Sequence, residues 1–109
     1  MTTIKQIAEA LKQGKQIPPN TLAEWRGVLA GEYSFAAGSL EDVLKQRPFI
    51  WNKLHETNKT DKGTDRAWEQ TEEGINEMGL RLRMKAIEKL MSALKGLQDL
   101  AEGQARNQF

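Results

Sequence analysis

The sequence predicts an all-α protein: a helical hairpin or bundle built on one long C-terminal helix, oligomeric through coiled-coil-like packing. Two observations carry this expectation. From Asp65 to about Glu102, apolar or small residues recur three or four apart, at Trp68, Thr71, Ile75, Met78, Leu82, Ala86, Leu90, Ala93, Leu97 and Leu100. That spacing keeps one helix face dry for about nine turns, or roughly 50 Å. A second row, Leu80, Met84, Ile87, Met91, Leu94 and Ala101, lies about 100° round the same cylinder. One antiparallel neighbour covers a seam rather than so broad an arc. More than one partner is therefore expected around this helix.

The remaining elements follow in chain order. Thr2 or Thr3 is placed to cap a first short helix whose apolar positions Ile4, Ile7, Ala8 and Leu11 follow helical spacing. Gly14 sits where a left-handed C-cap is wanted, with Ile17 folding back on the last turn. Pro18 and Pro19 impose an extended elbow, so residues 1–17 form a short helix or arm. Asn20 and Thr21 restart the chain as helix, with Thr21 and Glu24 forming a capping box. This second helix is expected to reach about Gln46, where Arg47-Pro48 breaks or kinks it. A third, short helix then carries Phe49, Ile50, Trp51 and Leu54 and ends near residue 56. Residues 57–64, TNKTDKGT, read as the one clear loop, and Thr60, Asp61, Thr64 and Asp65 all offer N-caps for the long helix over residues 61–105. The closing AEGQARNQF is small and polar and is expected to fray.

Composition bounds the function classes. A chain of 109 residues has room for one domain, 1–109, and one modest core. The balance of 16 basic against 15 acidic residues gives a net charge of +1, so an argument for an anionic partner must rest on local clustering. With no cysteine, disulfides, thiolate metal sites and a cysteine nucleophile are excluded. The N-terminal stretch lacks the apolar core of a secretory signal, and no run approaches the length of a membrane span. A soluble, cytoplasmic protein is the expectation, with no membrane partner.

Three groups of residues are candidates for binding. Arg81, Lys85 and Lys89 recur every four residues, with Arg83 and Lys95 nearby, and such a basic row neutralises phosphates. No interleaved aromatics accompany it as stacking platforms. The long helix also overhangs the second, which leaves Ile87, Met91, Leu94, Leu97 and Leu100 as an expected oligomer interface. On the second helix, Gly27, Gly31, Ser34 and Gly38 form a stripe of small residues. Each glycine costs about 1 kcal/mol relative to alanine, which favours a close crossing with the long helix, or a groove.

Chemistry has less support. Glu69, Glu72, Glu73 and Glu77 cluster on the long helix, and an ExxE pair holds magnesium when a second helix brings matching carboxylates; none is spaced to do so. His55 is the only histidine, and no serine sits in a nucleophile elbow. No catalytic residue, metal or cofactor is expected.

At TDKGTDRAWEQTEEGINEM, KAIEKLMSALKGL and the closing ARNQF, the chain resembles small uncharacterised helical proteins encoded in bacteriophage genomes. The similarity covers roughly residues 33–109 and rests on Tyr33, Pro48, Trp51, Asp61, Asp65, Trp68, Thr71 and Gly74. The plan of short helices followed by a long basic one is also similar to phage recombination mediators, whose aromatic-rich basic segment has no counterpart here. The resemblance implies a phage accessory protein of the host cytoplasm and transfers no functional residue. The expected function is non-enzymatic, oligomeric binding to nucleic acid or a nucleoprotein. The alternative is an inhibitor or adaptor that binds a host protein through the glycine-rich or exposed apolar helix face.

Overall fold

A computed structural model describes residues 3–14 and 16–107, with side chains described to Gly103. Among the described residues there are four α-helices and no strand: α1 (Ile4–Lys12), α2 (Pro19–Asn58), α3 (Asp61–Gln70) and α4 (Glu72–Asn107). They form two compact units, one of Met1–Ser34 with Lys85–Phe109, the other of Phe35–Met84. Helices α2 and α4 each contribute residues to both.

In the first unit, α1 begins at Thr3, whose hydroxyl accepts the Gln6 amide at 3.2 Å while Gln6 Oε1 accepts the Thr3 amide at 2.8 Å. This reciprocal box satisfies two donors that a helix start otherwise leaves orphaned. Thr2, the other cap considered, lies outside the described residues. Gly14 ends the helix at φ +66, the left-handed conformation glycine adopts without steric cost. The core of this unit is Ile7 from α1, Leu22 and Leu29 from α2, and Ile87 and Leu94 from α4, with Ile4, Leu11, Ile17 and Trp25 packed round it. Arg26 Nη1 donates to Gln98 Oε1 at 2.6 Å and the Tyr33 hydroxyl to Glu88 Oε1 at 3.0 Å, pairings that run α2 antiparallel to α4.

Helix α2 departs from expectation at both proline sites. It starts at Pro19 rather than at a Thr21–Glu24 box, with the Leu22 amide donating to the Pro18 carbonyl at 3.0 Å. Pro19 thus stands in the first turn, where its missing N–H costs nothing. The helix then continues through Pro48 instead of breaking there. An interior proline removes one backbone hydrogen bond and costs about 3 kcal/mol. Tertiary contacts on both sides offset this: Leu40 and Val43 are buried before it, and after it the Trp51 indole donates to Asp65 Oδ1 at 2.9 Å. Phe49, Ile50, Trp51 and Leu54 therefore belong to α2, and no separate short helix forms.

The expected single rod from Asp65 onward is broken at Thr71. Helix α3, capped by Thr60 through the Gly63 amide at 3.1 Å, ends at Gln70, and Thr71 is extended at ψ 159. The Thr71 hydroxyl donates to the Trp68 carbonyl at 2.6 Å and accepts the Gly74 amide at 3.0 Å, so one side chain closes α3 and opens α4. Glu72 and Glu73 then occupy the first turn of α4, where the helix dipole favours anions. The closing segment from Ala101, expected to fray, is instead helical to Asn107; Gln108 and Phe109 lie outside the described residues.

This break resets the helical phase and inverts the expected burial. Trp68, on α3, is buried, but Ile75, Met78 and Leu82 on α4 are exposed at 59%, 51% and 60%. The second row faces inward instead: Ile87 and Leu94 are fully buried, with Leu80, Met84 and Met91 half-buried.

Candidate binding surfaces

In the second unit, Glu77 is brought by α4 against α2 and α3. Its Oε1 accepts from Arg47 Nη1 at 3.3 Å and from the Trp68 indole at 3.2 Å, while Oε2 accepts from Arg81 Nε at 3.2 Å. Arg47 lies 5.3 Å from the Trp68 ring centroid and 3.9 Å from Asp65, adding a cation–π contact and a second carboxylate. Asp65 in turn accepts the Trp51 indole, and Trp51 stacks on His55 with centroids 5.0 Å apart. The Thr64 hydroxyl donates to the Thr60 carbonyl at 2.6 Å. Its oxygen is left to accept at the 3.0 Å approach of His55 Nδ1, which places the imidazole proton on Nδ1. Among the described residues no buried side-chain nitrogen or oxygen lacks a hydrogen-bond partner.

The acidic residues Glu69, Glu72, Glu73 and Glu77 divide between α3, which carries the first, and α4, which carries the other three. Among the described residues no group of three or more histidines, aspartates or glutamates is arranged to hold a metal ion, and Glu77 is already engaged by two arginines.

The glycine stripe does not mark a close crossing within the chain. Gly27, Gly31 and Gly38 have nothing within 4 Å of where a Cβ would stand, and Ser34 is exposed like them. Their face of α2 points away from α4. In the second unit the same helix exposes Phe35 and Phe49, each at 75%, about four turns apart and on one side of the cylinder with Gly38 and Asp42 between them.

The expected oligomer interface is split. Ile87 and Leu94 lie in the first unit's own core and are unavailable to a partner, and Met91 packs against that core. Only Leu97 and Leu100 are exposed. The exposed apolar side chains of α4 come instead from the row that the sequence suggested was dry.

The basic residues divide as well. Arg81 is held by Glu77 and, with Arg83, belongs to the second unit; Lys85, Lys89 and Lys95 belong to the first. Lys85, Lys89 and Ser92 line one shallow, open depression together with Glu88. The Glu88 carboxylate there accepts from the Tyr33 hydroxyl, and that hydrogen bond, then the carboxylate's charge, raises the Tyr33 pKa above its ordinary value. Lys95 lies about 80° round the helix from Lys85, off the row that Lys85 and Lys89 share.

Sequence reasoning missed the outward face formed by Phe35 and Phe49. The signal was present in their fourteen-residue separation, but the helix break expected at Pro48 assigned them to different elements. No helix is long and apolar enough to cross a membrane among the described residues. No family model matches the chain, and neither a curated protein nor a solved structure matches it significantly.

Proposed function

We propose that this chain is a non-enzymatic binding module, an adaptor or inhibitor whose target is a protein. The reading rests on the outward face of α2 in the second unit, where Phe35 and Phe49 are each 75% exposed. Two large aromatics on one side of a helix, four turns apart, suit an apolar groove or a second helix on a partner. Aromatic anchors of this kind dominate the energetics of interfaces. Gly38, between them with no neighbour, lets a partner backbone approach closely. On the phage resemblance, the partner is a host protein in the host cytoplasm.

The test is capture from nuclease-treated bacterial lysate by the immobilised chain, compared with a Phe35→Ala, Phe49→Ala double variant. Loss of the captured protein is expected, with the variant's thermal unfolding unchanged. Equal capture by both chains removes the reading.

A second reading, binding to nucleic acid, is favoured by one observation. The carboxylate between Lys85 and Lys89 is turned to Tyr33, so neither lysine is paired with it. Lys85→Glu with Lys89→Glu should then abolish a salt-sensitive gel shift. A shift that survives charge reversal excludes these two lysines.

A further inference from the structure

We draw no further inference here: the strongest candidate, the cavity in the first unit that Ile17, Pro19, Leu22, Leu97 and Leu100 line between the α1–α2 elbow and α4, carries nothing because no observation in the structure shows what covers it.

Discussion

The backbone of Gly74 rests directly on the carbonyl oxygen of Trp68, which already accepts the Thr71 amide at 3.0 Å and the Thr71 hydroxyl at 2.6 Å. A Cβ at position 74 would overlap that oxygen and the backbone behind it. Backbone cannot yield as the end of a flexible side chain can. Gly74→Ala should therefore force open the α3–α4 junction and destabilise the chain by about 1–3 kcal/mol, read as a lower denaturant midpoint. Gly79→Ala is the control. It stands in open space inside the same helix, where replacing glycine gains about 0.5–1 kcal/mol. Equal effects at the two positions would show that the junction imposes no constraint.

Glu77 supplies the acceptor for three donors, and its side chain is only 14% exposed. Glu77→Ala leaves the buried Trp68 indole without a partner and removes the carboxylate that Arg47 and Arg81 share, leaving Arg47 with Asp65 and the Trp68 ring. An expected cost of about 1–3 kcal/mol comes mainly from the orphaned indole donor. Arg81→Ala should cost less than about 1 kcal/mol, because its half of the contact is exposed to solvent. Glu77→Gln keeps an acceptor for the indole and should fall between the two. Urea denaturation of the three variants decides the order.

The helical class was legible in the three-and-four spacing, and so was the excess of apolar surface on the C-terminal helix. Which row faces inward was not. The two rows are of comparable hydrophobicity, and their assignment depends on helical phase, which Thr71 resets. The signal for that break was local: threonine followed by two glutamates and a glycine has the features of a helix start. It was outweighed by continuous periodicity running through it. Pro48 was misread for the opposite reason, since a strong local rule was offset by tertiary contacts at Leu40, Val43 and Trp51 that no short window contains. The glycine stripe was visible as a pattern, but sequence spacing cannot say whether a helix face is crossed or open.

Leu94 and Leu97, three residues apart, now separate two roles that the sequence assigned together. Leu94 is fully buried with Leu22, Leu29 and Ile87, so Leu94→Ala should cost about 2–5 kcal/mol from lost burial and the cavity left behind. Leu97 is exposed, and Leu97→Ala should change stability by less than about 1 kcal/mol. Comparable destabilisation by both would mean that α4 is rotated from its described orientation.

Tyr33 is the chain's one tyrosine, so its titration is readable in isolation. Its hydroxyl donates to Glu88, and that hydrogen bond is the largest cause raising its pKa above 10.0, followed by the nearby carboxylate charge and then by desolvation. All three favour the protonated phenol. A folded-state pKa above the unfolded value means that the contribution to stability is fully present below pH 10.0 and is lost as pH rises through the higher folded value. Tyrosinate absorbance should accordingly develop at higher pH in the native chain than in the unfolded one, and Glu88→Gln should move it back toward the ordinary value. Denaturation along the same pH series should show the native chain losing, above pH 10.0, an increment of stability that Tyr33→Phe never had. Parallel loss in both chains would mean that the phenol and Glu88 do not hold one another in solution.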